Sequence, residues 1–339
     1  MSELKYNQQM SKEELKEYMD YSLKDKIKLS YEIIEDFYHY VESEDDGNIY
    51  IASSFGKDSI VLIDLVRSLY PNIPIVYINT GVDQPSNVKL SKKYENVITL
   101  YPKKPMEQII EEYGYILPIG KDKTSTLSQV RKQLWEGKFN TWRIKKLRGD
   151  LGKSMYNYEK HIKDLLAPFK ISDNCCYYLK LEPINRFKRK ENYKYHFNGQ
   201  TAEESMMRRN SIMKNGFNNE DSSKPLGHWR VHDVLEYILK NNLELSECYG
   251  NIINENGKYK TTGFYRTGCT CCPIGSHRDN PNQFELLYFY DYDTWNYVIN
   301  DLGFKQVLDW YNVPYCDERN VCVNGVIVPK EESNQQKLI

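Results

Sequence analysis

The fold of this chain is constrained most by an apolar run that leads through a short loop directly into a helical pattern. Residues 49–52 are apolar, the loop reads Ser-Phe-Gly-Lys-Asp-Ser over 54–59, and apolar residues recur at helical spacing from Ile60 to Leu69. A helix that begins directly after such a loop presents N–H groups and its positive dipole end to an anion, and Lys57 adds a full charge. The pattern predicts a phosphate-binding loop that is not of the GxxxxGK[ST] type.

Strand-like and helical segments alternate along the chain. Strands are predicted at 48–53, 74–79, 96–101 and 193–197, and helices at 58–70, 86–94 and 105–113. Nearly continuous apolar strands separated by helices predict a doubly wound, mostly parallel α/β sheet. Ligands of such sheets bind at the carboxyl ends of the strands, where the loop 54–59 lies.

Changes in composition suggest the domain boundaries. The predicted parts are an N-terminal helical segment 1–45, a nucleotide-binding α/β domain 46–243, a cysteine-containing C-terminal region 244–330 and a tail 331–339. A basic helical insertion, 119–170, interrupts the α/β domain and contains Trp135 and Trp142. The simpler interpretation is a solvated insertion with two packing tryptophans, and the alternative is a surface for a polyanion such as tRNA or DNA.

The overall composition excludes several classes of protein. A hydrophobic content of 40% and a charged content of 27% suit a folded protein, and the net charge of −1 gives no global attraction to nucleic acid. No apolar run approaches the ~18 residues that span a bilayer. The first residues lack the apolar stretch of a signal peptide, so we expect a cytoplasmic, reducing location without membrane contact.

Eight cysteines in a reducing location need an explanation other than disulfides. Five of them form two tight clusters, which are Cys175 with Cys176 and Cys269 with Cys271 and Cys272. Such clustering is typical of a metal or iron–sulfur site, or of redox chemistry.

A turn follows the second predicted strand. It consists of Asn79, Thr80 and Gly81, and the glycine lets the backbone turn sharply and approach a ligand. One βα unit after the loop 54–59, this turn favours a nucleotide pocket over an ordinary strand-to-helix connection.

Gly199 follows the fourth predicted strand, and the next residues read as the start of a helix. Thr201 and Glu204 have the spacing of a capping box, which predicts a helix from Thr201. On the next turn, Arg208 could contact an anion through two parallel hydrogen bonds.

These motifs resemble the PP-loop ATP-pyrophosphatase superfamily and, within it, the PAPS-reductase-like family. That family has an SFGKDS loop like 54–59, an Asn-Thr-Gly turn like 79–81, and a G-x-R-x-x-E-S-x-x-R motif like 199–208. Thr201 stands where the family often has the first arginine, which puts one phosphate or sulfate contact in doubt. Trp229 and Asp233 match a further element of the family, and the resemblance covers about residues 48–275.

The resemblance implies an adenine nucleotide alpha hydrolase-like fold with ATP, or APS or PAPS, in its pocket. The implied nucleotide-binding residues are Ser54, Phe55, Gly56, Lys57, Asp58, Ser59, Asn79, Thr80, Gly81, Gly199, Glu204, Ser205 and Arg208. Lys57 would stabilise charge on the phosphates, Mg²⁺ would bridge their oxygens, and Asp58 would be the metal-associated carboxylate.

The cysteines also resemble a family pattern. A Cys-Cys pair followed much later by Cys-x-x-Cys holds the [4Fe-4S] cluster of assimilatory APS reductases, which implies ligation by Cys175, Cys176, Cys269 and Cys272. The alternative is structural Zn²⁺, although adjacent cysteines bind a single metal awkwardly. Cys271 is an extra thiol, expected either to replace Cys272 as a ligand or to act in sulfur transfer.

Two reaction classes occur in the family. In one, a substrate oxygen attacks the α-phosphate of ATP, and sulfur then displaces AMP, as in DNA phosphorothioation sulfurtransferases and tRNA thiolation enzymes. In the other, a thiolate of an E-C-G-[IL]-H segment attacks the sulfur of APS or PAPS. This sequence lacks that segment, so Cys316 or Cys322 would have to serve.

We therefore expect an adenylating sulfurtransferase with a [4Fe-4S] cluster. A sulfonucleotide reductase and a catalytically idle nucleotide or redox sensor are the alternatives. The expected partners are a nucleic-acid acceptor at 119–170 and a cysteine desulfurase or thiol donor, and the oligomeric state stays open.

Overall fold

The fold is described from a computed structural model, in which residues 9–45, 47–152, 159–316, 320–323 and 326–329 can be described. A five-stranded sheet consists of β1 (Ile49–Ser53), β2 (Ile75–Ile78), β3 (Val97–Leu100), β4 (Tyr195–Asn198) and β5 (Ser222–Ser223). The strands lie in the order β3-β2-β1-β4-β5, and every neighbouring pair is parallel. The predicted parallel α/β sheet is confirmed.

Helices account for most of the remaining structure. The described α-helices are α1 (Lys12–Met19), α2 (Leu23–Asp45), α3 (Lys57–Leu69), α4 (Pro85–Ser91), α5 (Met106–Tyr113), α6 (Lys121–Trp135), α7 (Trp142–Arg148), α8 (Asn174–Cys176), α9 (Glu182–Glu191), α10 (Met206–Asn215), α11 (Val231–Lys240), α12 (Gln283–Tyr290), α13 (Tyr292–Asn296) and α14 (Lys305–Trp310). None of them combines the length and the apolar character needed to cross a bilayer.

Shorter elements complete the described chain. They are 3₁₀ helices at Glu159–Leu166 and Glu247–Tyr249, π-helical turns at Tyr177–Leu181 and Tyr297–Asp301, and two antiparallel hairpins, β6 (Ile252–Glu255) with β7 (Lys258–Thr261) and β8 (Asn320–Val323) with β9 (Val326–Pro329).

Helices flank both faces of the sheet because successive side chains of a strand point to opposite faces. On one face, Ile49 and Ile51 of β1 pack in a cluster with residues of α2, α3 and α11. On the other face, Tyr50 of β1 and Val76 of β2 pack against Phe187 of α9. Burying each such side chain stabilises the fold by about 1.5–3 kcal/mol.

The chain forms two compact units. The first contains the described residues up to Asn79, Asp83–Tyr101 and Pro183–Gly268, and it holds the sheet. The second contains Thr80–Val82, Pro102–Glu182 and the described residues from Cys269 onward. The predicted domain boundaries at 45, 243 and 330 stay predictions, and the predicted tail 331–339 lies outside the described residues.

The predicted helix start at Thr201 is wrong. Helix α10 begins after Ser205, whose side chain accepts a hydrogen bond from the N–H of Arg208 at 3.2 Å. The Thr201 hydroxyl is buried and has no hydrogen-bond partner in the described part of the chain, although the Thr201 N–H reaches the Glu204 carboxylate at 3.5 Å. The N–H of Ala202 donates instead to the carbonyl of Gly227 at 2.9 Å, and this tertiary bond holds 201–205 in a turn.

The tryptophans of the basic insertion do not pack as the simpler interpretation expected. Helices α6 and α7 form within it, and their inward side chains, such as Val130 and Leu147, are buried. Trp135 at the end of α6 is 93% exposed and Trp142 at the start of α7 is 60% exposed.

Candidate functional site

Three predicted motifs lie at one edge of the sheet. The loop 54–59, Asn79 and Gly199 directly follow the carboxyl ends of β1, β2 and β4, which are parallel neighbours. Strand β1 lies between the other two strands. Such an edge is where open α/β sheets bind their ligands.

Phe55 anchors the loop between β1 and α3. Its side chain is fully buried, with its ring centroid 5.3 Å from that of Tyr77 and 5.3 Å from that of Tyr94. Its backbone has a positive φ of 54°, which is uncommon for a bulky residue. The N–H of Ser54 donates to the hydroxyl of Ser59 at 3.3 Å and closes the loop.

Two glycines let the backbone pack closely around this loop. A Cβ at Gly56 would lie 2.8 Å from Thr267 Oγ1 and 3.0 Å from the hydroxyl oxygen of Tyr249. A Cβ at Gly199 would lie 3.3 Å from the backbone carbon and oxygen of Asp58. Both positions therefore favour glycine because of space, which agrees with a backbone that must approach a ligand.

Lys57 and Asp58 form an ion pair in the first turn of α3. Lys57 is only 3% exposed, its Nζ lies 2.8 Å from Asp58 Oδ2, and it lies 5.6 Å from the ring centroid of Tyr265. Burial alone would lower the pKa of Lys57, but Asp58 and Tyr249 raise that pKa above its ordinary value, so the lysine stays charged. Among the described residues, Asp58 Oδ1 is buried without a hydrogen-bond partner, which suits a carboxylate that faces Mg²⁺.

A hydroxyl network covers the N-terminus of α3. The N–H of Lys57 donates to the hydroxyl of Tyr249 at 3.1 Å, and this hydroxyl shares a hydrogen bond of 3.1 Å with Thr267. Asn87 donates to Thr267 Oγ1 at 3.1 Å and to the carbonyl of Ser54 at 3.2 Å. Burial raises the pKa of Tyr249 to about 12, so its hydroxyl is protonated at neutral pH.

Two arginines add positive charge to the same region. Arg208 pairs with Glu204 and lies within electrostatic range of Asp58 and Arg266. Burial lowers the pKa of Arg208 from its ordinary value, Asp58 opposes this effect, and Arg266 adds to it. With Lys57 included, three cations lie in this region beside the carboxylates of Asp58, Glu203 and Glu204, and such cations can contact phosphate oxygens.

The five clustered cysteines gather in the second unit. Cys175 and Cys176 lie in α8, a single turn that runs into the π-helical turn Tyr177–Leu181. Cys175 interacts electrostatically with Cys271 and Cys272, and Cys272 interacts with Cys269 and Cys176. Across the residues that the structure describes, no group of three or more His, Cys, Asp or Glu side chains is arranged around one metal ion.

The charge state of these thiols depends on their neighbours. A hydrogen bond from Cys175 lowers the pKa of Cys176, with help from Lys121 and Lys180, and the same bond raises the pKa of Cys175. Burial raises the pKa of Cys271 well above its ordinary value. A set of donors made only of thiols fits an iron–sulfur cluster or zinc in chemical type.

The cysteine turn is held by hydrogen bonds within it and to residues outside the motif. Gln283 donates to the carbonyls of Thr270 at 3.1 Å and Cys272 at 2.6 Å. Thr270 donates to the carbonyl of Val82, from its N–H at 2.7 Å and from its hydroxyl at 3.0 Å. The N–H of Cys272 closes the turn on the carbonyl of Cys269 at 3.0 Å.

Comparison with known proteins identifies the family. The phosphoadenosine phosphosulfate (PAPS) reductase domain matches residues 48–132 and 141–274, which is more than half of the chain. The chain belongs to the PAPS reductase family. Members of this family act on adenine nucleotides, and the predicted resemblance is confirmed.

One curated relative and two solved structures are similar to the chain. The chain is 28% identical over 232 residues to an adenosine 5'-phosphosulfate reductase of Lysinibacillus sphaericus, covering 67% of this chain and 74% of that protein. A PAPS reductase of Candida auris in a phosphate complex matches at 15% identity with a TM-score of 0.36, covering 71% of this chain and 92% of that one. A U34-tRNA thiolase of Methanococcus maripaludis with its [4Fe-4S] cluster matches at 15% identity with a TM-score of 0.32, covering 67% and 68%.

The residues implied by the PAPS reductase resemblance divide between the two units. The first unit contains the loop residues Ser54–Ser59 together with Asn79, Gly199, Glu204, Ser205 and Arg208. The second unit contains Thr80, Gly81 and the five clustered cysteines. Gly81 has a positive φ of 79°, and an added Cβ would meet nothing within 4 Å. The backbone conformation, and not a lack of space, therefore favours glycine at this position.

Several residues around these sites belong to no sequence motif. They are Asn87, Tyr249, Tyr265, Arg266 and Thr267 around the loop, and Gln283 beside the cysteine turn. Tyr249 is separated from Lys57 by 192 positions, so no local pattern could join them. The sequence gives one weak indication of these residues, which is that 265–267 lie just before the cysteine motif.

Proposed function

We propose that this chain is an ATP-dependent adenylating sulfurtransferase that carries a [4Fe-4S] cluster. The observation that carries the proposal is the Lys57–Asp58 pair in the first turn of α3. Lys57 is a buried cation, and Asp58 offers a buried carboxylate oxygen that has no partner among the described residues. Cleavage of ATP needs such a cation for the phosphates and such an oxygen for Mg²⁺.

The residues of α3 would hold the triphosphate. The N–H of Lys57 donates to Tyr249, but those of Asp58 and Ser59 have no carbonyl partner within the helix, so they can donate to phosphate oxygens beside Lys57. Arg208 and Arg266 would add positive charge to the same region. Mg²⁺, when bound, would neutralise phosphate charge next to Asp58.

The proposed reaction has two displacements. An oxygen of the acceptor attacks the α-phosphorus of ATP, the bond to the bridging oxygen breaks, and pyrophosphate leaves with its electron pair. A sulfur nucleophile then forms a bond to the acceptor carbon, and AMP leaves with the electrons of the carbon–oxygen bond. A cysteine desulfurase or a thiol donor would supply that sulfur.

Cys175, Cys176, Cys269 and Cys272 would hold the cluster. Lys121 and Lys180 favour the thiolate form of Cys176, and Lys180 also favours that of Cys272. The cluster would supply thiolate-ligated iron whose reduction potential depends on these nearby charges. Structural Zn²⁺ is the alternative occupant. Cys272 stays the proposed fourth ligand. Burial raises the pKa of Cys271, which opposes the thiolate form that both a metal ligand and a nucleophile need, so the two roles predicted for Cys271 stay predictions.

The proposed acceptor is a nucleic acid that binds the basic insertion 119–170. Exposed Trp135 and Trp142 support this acceptor, because aromatic rings that do not pack in the fold are available to bases.

One observation favours a second candidate function. The similarity to a protein named adenosine 5'-phosphosulfate reductase fits a sulfonucleotide reductase in which a thiolate attacks the sulfate sulfur. Cys316 is half-buried and could be such a thiol, whereas the side chain of Cys322 lies outside the described part of the chain. A nucleotide or redox sensor without turnover is the third candidate.

Incubation of the same protein with ATP and Mg²⁺, or with APS and a thiol, separates these candidates. Pyrophosphate release from ATP supports the sulfurtransferase. Sulfite release from APS without pyrophosphate release supports the reductase, and binding of nucleotide without either product supports the sensor.

A further inference from the structure

Three exposed aromatic side chains occur in the short segment where α6 passes into α7. Trp135 is 93% exposed, Phe139 is 64% exposed and Trp142 is 60% exposed, and all lie within eight consecutive residues. Single exposed apolar side chains are ordinary, whereas several large ones in one short segment indicate an interaction site. Val130 and Leu147 are among the buried side chains of these two helices, whereas the three aromatic side chains bury little of their area in the fold.

The same surface is strongly basic. Residues 131–148 contain seven lysines and arginines and only one acidic residue, Glu136, in a chain whose net charge is −1. Arg131 is used within the fold, because its guanidinium donates to the carbonyls of Leu165 at 2.9 Å and Phe169 at 2.6 Å. Lys146 lies 4.9 Å from the ring centroid of Trp142, which places a cation on an aromatic face.

A groove extends this surface. It has a volume of about 500 Å³ and is lined by Leu134 and Trp135 of α6 and by Ile162 and Leu166 of the 3₁₀ helix. Leu166 is itself 80% exposed. The groove therefore offers an apolar space beside Trp135.

The mixture of aromatic and cationic side chains favours one kind of partner. Cations are interspersed with the aromatic positions in the sequence, with Lys132 three positions before Trp135 and Arg143 directly after Trp142, and this mixture disfavours a lipid bilayer as the partner. The core of a protein–protein interface is depleted of lysine. Single-stranded nucleic acid, by contrast, needs aromatic rings for its bases and cations for its phosphates at alternating positions.

We propose that this α6–α7 surface, defined by Trp135, Phe139 and Trp142 with Lys132, Arg143 and Lys145, binds single-stranded nucleic acid. Bases stack on the three aromatic rings, and the three cations contact the phosphates. A duplex would leave the rings without a partner, because its bases are already stacked inside the helix.

The position of α6 connects this surface to the cysteines. Its first residue, Lys121, lies within electrostatic range of Cys176, and Trp135 lies fourteen residues further along, or about 21 Å. The inference rests on the proposed function in one respect, which is that the bound strand is the acceptor.

Binding can be measured without turnover. The full chain, without ATP, is titrated into a fluorescein-labelled single strand and into a duplex of the same length while fluorescence anisotropy is recorded. We expect the single strand to bind at least tenfold more tightly than the duplex. We also expect quenching of tryptophan fluorescence, which would come chiefly from Trp135 and Trp142 because Trp229 and Trp295 are buried and Trp310 is half-buried.

Variants test the surface directly. Replacing both tryptophans, in Trp135→Ala with Trp142→Ala, should weaken single-strand binding at least tenfold. Lys145→Ala should weaken binding and reduce its salt dependence. Tyr292→Ala removes an exposed aromatic residue elsewhere in the chain and should change neither property. Trp135, Trp142 and Tyr292 are exposed and Lys145 is half-buried, so the variants should fold.

Several results would overturn the inference. They are equal affinity for duplex and single strand, unchanged binding by the double tryptophan variant, or preferential binding to phosphatidylserine vesicles. Failure here is distinct from failure of the proposed function. A protein that releases pyrophosphate but binds no strand contradicts only this inference, and a strand-binding protein without ATP cleavage contradicts only the proposed reaction.

Discussion

Thr270 donates two hydrogen bonds to the carbonyl oxygen of Val82, from its N–H at 2.7 Å and from its hydroxyl at 3.0 Å. Val82 directly follows the Thr80–Gly81 turn, and Thr270 lies between Cys269 and Cys271. A turn implied to line the nucleotide pocket and a motif implied to bind a cluster are therefore joined within the second unit.

This pair predicts the effect of Thr270→Val. Valine has nearly the same shape but no hydroxyl, so the variant should lose about 1 kcal/mol of unfolding free energy and should retain less iron. Thr270→Ser keeps the hydroxyl and is the matched control. Urea unfolding and iron analysis measure both effects. Equal iron content and stability in the valine and serine variants would contradict the expectation.

The space around Gly56 gives a second prediction. Its φ of −79° is available to alanine, so the cost of Gly56→Ala is purely steric. The new Cβ would lie 2.8 Å from Thr267 Oγ1, and the variant should lose about 1–3 kcal/mol of unfolding free energy. Adding Thr267→Ala should restore part of the loss.

The control for this pair is Gly268→Ala. A Cβ there meets nothing within 4 Å, so stability should change little. The proposed crowding is wrong if Gly268→Ala costs as much as Gly56→Ala, or if Thr267→Ala restores nothing.

The cysteines make a third prediction. Cys175→Ser and Cys272→Ser should each abolish iron and sulfide binding in anaerobically prepared protein, because a [4Fe-4S] cluster requires its thiolates. Cys316→Ser should retain the cluster. Cys271→Ser tests the extra thiol, and it should also retain the cluster if Cys272 is the ligand. Colourless protein with stoichiometric zinc would reject the cluster in favour of Zn²⁺.

A buried histidine predicts acid sensitivity. His228 is fully buried, its Nε2 lies 3.2 Å from the carbonyl of Lys26, and burial lowers its pKa to about 3. Between the unfolded pKa of about 6.5 and about 3, the unfolded chain binds more protons than the folded chain. The contribution of His228 to unfolding free energy therefore falls as pH falls through this window, by up to ~1.4 kcal/mol per pH unit.

His228→Gln should flatten this dependence when urea unfolding is measured between pH 7 and pH 4, whereas His39→Gln at an exposed position should not. The account of His228 is refuted if the glutamine variant keeps the full slope.

The sequence predicted the parts of the fold that depend on local pattern. The strands near 49–53 and 75–78 and the helix near 57–69 follow from apolar periodicity and lie within one or two residues of the prediction. The start of α10 could not be predicted, because the bond from Ala202 to Gly227 joins distant parts of the chain and overrides the capping pattern at Thr201.

Some residues of the candidate site could be predicted from the sequence and others could not. Gly56, Lys57, Asp58 and Gly199 belong to motifs, and the structure gives each a local physical reason. Tyr249 and Arg266 belong to no motif, and only the folded chain brings them to the loop. The exposure of Trp135 could not be predicted either, because the sequence of a basic helix does not show whether its tryptophan rings pack in the fold or face solvent.

The products of ATP cleavage distinguish the proposed adenylation from the alternative reactions. The protein, with Mg²⁺, a single-stranded acceptor and sulfide as the sulfur nucleophile, is incubated with ATP labelled in the adenosine moiety and at the γ-phosphate, and the products are separated. We predict AMP and pyrophosphate in equal amounts, with at least a hundredfold loss in Lys57→Ala because a phosphate-binding cation is removed. ADP with phosphate, or no cleavage of ATP together with sulfite release from APS, would contradict the account.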